Sequence, residues 1–333
     1  VDEPTAHAIL DHALAAGVNF IDTAEMYSVP ARAATFGATE TIIGNGFASR
    51  PGARQQVVLA TKVAGPARGM DWIRKGAADL TPGDIIAACD DSLKRLRTDH
   101  IDLYQIHWPN RNVPAFGAIY FDPKRDGDNS SIHVQLEALT SLVRAGKIRG
   151  IGLSEVSAAT LRRAAEVHPI AAVQTEYSLW TRNPEIAVLD ACRELGTTFV
   201  AFSPVARGFL ADGIGDASAL AKGDLRRHMP RFNPPHLEAN LKLLAAFKAI
   251  AAELGVTPGQ LSLAWLLNRD DRLVTIPGTG SIPHLEENFG ARDMALAPEV
   301  MARLDALINR HTVSGPRYAP AMQASIDTED FAD

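Results

Sequence analysis

Residues 18–27 read Val-Asn-Phe-Ile-Asp-Thr-Ala-Glu-Met-Tyr. An apolar run with strand character ends abruptly in an acid, and a phenol follows five residues later in a segment too polar to continue a buried strand. Upstream, Ile9, Leu10, Ala13 and Leu14 recur at helical spacing within 4–16, and Gly17 ends that helix. An aspartate after a strand is by itself an ordinary turn or helix cap. Its meaning depends on what other strands bring to the same place.

Working outward, the unit repeats. Nearly continuous apolar runs predict strands at 57–63, 101–108, 150–155, 171–178, 198–205 and 273–278. Between them, amphipathic spacing predicts helices at 39–48, 82–96, 134–145, 158–167, 184–195, 237–254 and 258–268, then 283–289 and 298–309. Thr81-Pro82 is a helix start, with proline where its missing N–H costs nothing. Apolar strands alternating with helices imply a parallel sheet covered by helices, either a closed barrel or an open doubly wound sheet. No Gly-x-Gly-x-x-Gly follows a first strand, and polar punctuation falls after many strands rather than at one switch point. The expected fold is therefore α/β, a (β/α)8 TIM barrel, in one domain over 1–333. Seven strands are readable, so the first strand of the eight is expected to be absent from this chain. Long loops at 109–131 and 206–235 are expected on the active-site face, and 311–333 forms a tail with little periodicity that ends acidic.

Composition narrows the partners. A net charge of −6 with no basic cluster argues against nucleic acid or an anionic membrane as partner. No apolar run approaches the roughly 18 residues that span a bilayer, and Val-Asp-Glu-Pro-Thr at the start is not a signal peptide, so the cytoplasm is the expected location. Cys89 and Cys192 stand alone in apolar helical segments and read as core thiols.

In such a barrel the C-terminal ends of the strands converge on one face. This chain places there Asp22 with Tyr27, Lys62, His107, Ser154, Gln174 and Ser203. Asp, Lys and His ending successive buried strands are not what an inert scaffold needs. A nearby ammonium favours a phenolate, an acid would hold that ammonium, and an imidazole can hydrogen-bond a substrate oxygen. The set suits protonation of a developing alkoxide. It offers no nucleophile or redox centre, so carbonyl reduction would need hydride from a cofactor. A metal site is not expected, because His107 has no second histidine or clustered carboxylate for a partner.

With these motifs the sequence resembles the aldo-keto reductase family from residue 1 to about 310. The motifs are Gly-Val-Asn-Phe-Ile-Asp-Thr-Ala-Glu-Met-Tyr, Val-Val-Leu-Ala-Thr-Lys-Val, the segment Ser92–Trp108, Ala-Gly-Lys-Ile-Arg-Gly-Ile-Gly-Leu-Ser, Val-Gln-Thr-Glu-Tyr-Ser-Leu, Ala-Phe-Ser-Pro-Val-Ala-Arg-Gly-Phe-Leu and Ile-Pro-Gly-Thr with Leu-Glu-Glu-Asn. The resemblance implies a catalytic tetrad of Asp22, Tyr27, Lys62 and His107, with tyrosine the acid–base residue. It implies an N-terminal hairpin and first strand, which are expected to be absent from this chain, and NADPH extended across the barrel mouth. Ser154 and Gln174 would hold the nicotinamide amide, and Phe202 would stack on its ring. Ser203, Pro204, Gly208 and Leu210 would follow the pyrophosphate. Gly278, Thr279, Ser281, His284, Glu287 and Asn288 would meet the adenosine end. Glu155 replaces a common asparagine. Gly280 and Ser281 stand where relatives often carry Lys and Arg for the 2′-phosphate, so NADP(H) is expected first and NAD(H) as the alternative. Met26, Trp72 and Trp108 would line the pocket for a small-molecule carbonyl or alcohol, and the 109–131 loop with Phe116, Tyr120 and Phe121 would form a lid, a subunit contact or a plain surface loop. A different class of function keeps fold and cofactor as a sensor or regulatory subunit with little turnover.

Overall fold

The structure is a computed structural model that describes residues 1–67, 69–111, 129–211 and 217–331. Phe116, Tyr120 and Phe121 lie outside the described residues. The strands are β1 Phe20–Asp22, β2 Val58–Val63, β3 Ile101–Ile106, β4 Ile148–Ser154, β5 Ala172–Glu176, β6 Thr198–Phe202 and β7 Leu273–Thr275. They form one parallel sheet in sequence order, with in-line register such as Ala60 against Leu103 and Ser154 against Gln174.

The helices are α1 Glu3–Ala15, α2 Ala38–Ser49, α3 Pro82–Leu96, α4 Ile132–Arg144, α5 Ala158–Ala165, α6 Val188–Leu195, α7 His236–Glu253, α8 Pro258–Leu267, α9 Ile282–Phe289, α10 Pro298–Leu307 and α11 Pro320–Gln323. Their starts follow the local chemistry. Thr81 Oγ1 accepts from the Asp84 N–H at 3.2 Å while the Asp84 carboxylate accepts from the Thr81 N–H at 3.1 Å. That reciprocal cap, with Pro82 behind it, opens α3, and Thr257, Pro258 and Gln260 repeat it at α8. Successive helices pack side by side over the outer face of the sheet, and the core between them runs from Ile43 to Ile326. Cys89 on α3 and Cys192 on α6 are free and buried within it; burial pushes both thiols up to about 12. None of the described helices is long and apolar enough to cross a membrane.

The sheet curls. Four interstrand steps of about 4.8 Å would set β5 roughly 19 Å from β1 in a flat sheet. Yet Gln174 of β5 donates from Nε2 to Asp22 Oδ1 of β1 across 2.9 Å. Only a barrel wall brings these side chains together, and the inward-facing polar groups meet on its axis. At the opposite, N-terminal end of the strands, Asp102 collects the Leu59 N–H, Arg54 and Arg149.

Several strands are shorter than their apolar runs predict. The run 198–205 ends as a strand at Phe202 because Ser203 turns left-handed, φ 51°. Glu155, φ 56°, stops β4 in the same way. The tail also differs from its sequence character, since residues 317–330 reach back to the ends of β4 and β5 rather than trailing away.

Candidate active site

Beyond Asp22 the chain stays paired with β2 through Thr23 N–H to Ala60 O at 2.9 Å and Glu25 N–H to Lys62 O at 3.2 Å, then turns, so that Tyr27 overhangs the strand ends. Lys62, fully buried, donates to the Asp22 carboxylate and to Thr23 O at 3.0 Å. The other Asp22 oxygen accepts from Gln105 at 3.1 Å and from Gln174. The Lys62 ammonium lies 5.1 Å from the centre of the Tyr27 ring, and the Tyr27 and His107 rings meet edge to face at 5.5 Å. Asp22, Tyr27, Lys62 and His107 thus come together from three strands.

Their environment sets charge. Burial by itself depresses the Lys62 ammonium, but Asp22 and Tyr27 outweigh it and hold its pKa above the ordinary value. Burial, helped by the Lys62 charge, lowers His107 well below its ordinary value, so the imidazole is neutral near pH 7. Its Nδ1 finds no hydrogen-bond partner among the described residues.

Two supports lie behind the tetrad. Glu25, between Asp22 and Tyr27, is buried; its carboxylate accepts from the Ala64 N–H and from Arg74, each at 2.7 Å. Arg74 also donates to the carbonyl of Gly65 at 2.9 Å, which fastens the loop after β2 against the end of β1. Met26 and Trp108 join an apolar cluster on which Tyr27 rests. Trp108 fits only because residue 65 is glycine, whose added Cβ would lie 2.4 Å from the indole. Trp72, next to Ile73 of that cluster, is itself exposed.

The residues expected around a cofactor divide into three groups. Ser154 and Gln174 are register neighbours, and neither the Ser154 hydroxyl nor the Gln174 carbonyl oxygen has a partner among the described residues. Phe202 and Ser203 are half-buried at the end of β6, and the Pro204 carbonyl is taken by Ser262 at 2.8 Å. Gly208 lies in the turn that follows, φ 90°. The Leu210 side chain packs in the main core at 1% exposure, which anchors the backbone of this turn. After β7, Gly278 leaves open space beside its Cα, Thr279 bonds Ser281, and Ser281 caps α9 by accepting from the His284 N–H at 3.3 Å. Glu287 accepts from Thr257 at 2.5 Å and pairs with the exposed His284, so both face α8 and solvent; Asn288 is half-buried.

Sequence reasoning missed three participants. Gln105 is buried on the same face as His107, two residues along β3, and a last-residue-only reading of strands passes over it. Gly152 makes its room, since an added Cβ would sit 2.6 Å from Gln105 Cγ. The second is the Glu25–Arg74 brace. The third is a buried set in which Arg317 from the tail binds Glu155 at 2.7 and 2.9 Å and Glu176 at 3.0 Å, while Arg207 binds Glu176 at 2.7 Å. Glutamates closing two apolar strands were its signal; the distant arginine had none.

Residues 1–309 match the model of the Aldo/keto reductase family. An NADP(+) aldo-keto reductase of Schizosaccharomyces pombe is 38% identical over 330 residues, covering 97% of this chain and 88% of that protein. The solved structure of a thermostable aldo-keto reductase in complex with the inhibitor epalrestat superposes with a TM-score of 0.66 at 29% identity, over 92% of this chain and 88% of its own. The glycerol dehydrogenase of Gluconobacter oxydans superposes with a TM-score of 0.75 at 25% identity, over 94% and 88%.

Proposed function

Because the chain belongs to the aldo/keto reductase family and is thereby an oxidoreductase, we propose that it reduces a small aldehyde or ketone to the alcohol, reversibly, with NADP(H) and with Tyr27 as proton donor. The single observation that carries the reading is the buried Lys62 ammonium, held between the Asp22 carboxylate and the Tyr27 ring.

The residues fit a nicotinamide. The free Ser154 hydroxyl and Gln174 carbonyl oxygen match its amide, and Phe202 offers a ring at the end of β6. Bound NADPH would supply the hydride. Neutral His107 donates a hydrogen bond to the substrate oxygen and orients the carbonyl, while Tyr27 Oη gives it a proton as charge develops there. Lys62 stabilises the phenolate left behind. Asp22, fixed by two amides, keeps Lys62 charged and in place. Met26 and Trp108 would give the substrate an apolar wall. NADP(H) is preferred to NAD(H) because the yeast relative is named for NADP(+); the Ser281 hydroxyl and the start of α9 would meet the 2′-phosphate in place of Lys and Arg.

The test is Tyr27→Phe, followed by NADPH fluorescence titration and by nicotinamide absorbance with a panel of aldehydes. Turnover is expected to vanish with cofactor affinity nearly intact. A variant keeping more than about a tenth of kcat would remove Tyr27 from the role of acid. Tight NADPH binding by the unaltered protein with no turnover on any substrate would favour a sensor.

A further inference from the structure

The C-terminal segment grips the strand ends at one place. Arg317, 2% exposed on its side chain, sends a two-pronged guanidinium to Glu155 and a further contact to Glu176, and lies 5.9 Å from the centre of the Phe202 ring. Ten residues on, the Asp327 N–H donates to Glu155 O at 2.9 Å, and its carboxylate accepts from the Ser157 N–H and hydroxyl and from Thr160. Glu155 is thereby held by backbone and side chain together.

These contacts adjoin the residues expected to seat the nicotinamide. Glu155 follows Ser154, and Glu176 lies two residues after Gln174. Left-handed backbone is costly for glutamate and persists only where its surroundings enforce it. A buried carboxylate beside a site for an anionic dinucleotide would repel that ligand unless neutralised. Arg317 meets both needs, since its fork fixes the Glu155 side chain and its charge cancels the carboxylate.

We propose that Arg317 is a positioning residue for the cofactor, supplied by the tail: by pairing with Glu155 it fixes the turn after Ser154 and shields the nicotinamide end from a bare carboxylate. This rests on the reductase reading above. Arg317→Met is expected to raise the NADPH Kd and the cofactor KM by tenfold or more, while kcat at saturating NADPH stays within about twofold. Arg317→Met/Glu155→Gln, which removes the exposed carboxylate as well, is expected to recover at least half of that loss on a logarithmic scale.

NADPH fluorescence titration and steady-state kinetics on the full chain, with circular dichroism to establish folding, make the test. A folded Arg317→Met with Kd within twofold of the unaltered protein overturns the proposal, as does a double variant no tighter than the single. If Arg317→Met does not fold, Arg317→Lys keeps the charge without the fork and should weaken NADPH about threefold or more; no change overturns the proposal. The unaltered protein distinguishes the two readings, because its failure to bind NADPH or reduce any aldehyde sinks the reductase assignment, whereas the variants bear only on Arg317.

Discussion

Replacing Lys62 by methionine tests the electrostatic core of the site. The ammonium lies 5.1 Å from the Tyr27 ring centre, and at that range with an effective dielectric of about 20 a unit charge is stabilised by about 3 kcal/mol. Losing that support in the transition state corresponds to about two orders of magnitude in kcat. Asp22, left without its cation, would repel the phenolate and deepen the loss. The buried carboxylate would also keep only its two amide donors, which costs about 3–5 kcal/mol of stability and lowers Tm by roughly 4–7 °C for a chain of 333 residues. The assay is single-turnover reduction of an aldehyde by enzyme saturated with NADPH, at a temperature where circular dichroism shows the variant folded. Lys62→Met should fall about 100-fold or more, and Lys62→Met/Asp22→Asn should regain part of both rate and stability. A folded Lys62→Met with more than a tenth of the original rate, or a double variant slower than the single, would refute the reasoning.

Gly152→Ala should cost about 1–3 kcal/mol, because its Cβ would meet Gln105 Cγ at 2.6 Å; urea denaturation of the single and of Gly152→Ala/Gln105→Ala checks this, the second change relieving the clash. Burial raises the Glu176 carboxyl, but Arg207 and Arg317 outweigh it and pull it from 4.5 down to about 2. Its folded-state value is depressed, so its stabilisation is fully present above about pH 5 and lost as pH falls toward 2. Urea midpoints between pH 6 and 3 should therefore drop more steeply for the unaltered protein than for Glu176→Gln, and parallel curves would contradict the pairing. Since His107 is neutral well below pH 6.5, kcat/KM should show no ionisation near that pH; a limb there that disappears in His107→Gln would show a protonated imidazole.

Asp22, Lys62 and His107 were legible as a candidate set because they fall at or near the ends of apolar strands, where a charged or titratable group is conspicuous, and because the barrel rule brings such ends together, with Tyr27 carried in by its position just past the first of them. Gln105 was not legible, since an amide inside a strand carries no charge to draw notice and its partner Asp22 lies 83 residues away. Leu210 was placed along the pyrophosphate by motif position, and its side chain anchors that turn by packing beside Phe209 in the core. Glu155 read as a departure with no cause, because the cause is an arginine 162 residues later in a segment without periodicity. Pattern reports elements and their faces; it does not report which distant side chain will answer a buried charge.

The separation between Glu155 and Arg317 also orders events during synthesis. Asp22, Lys62 and His107 are all made within the first third of the chain, and Glu155 before its midpoint. At roughly 5–20 residues per second, the 162 residues to Arg317 take about 8–30 s to add. Throughout that interval the turn after β4 holds an acid with no guanidinium, and the strand ends cannot close over it without exposing or protonating a carboxylate. Loss of the last twenty residues would remove the guanidinium that pairs with Glu155. The acid that ends β4 is thus answered only after 162 further residues have been added.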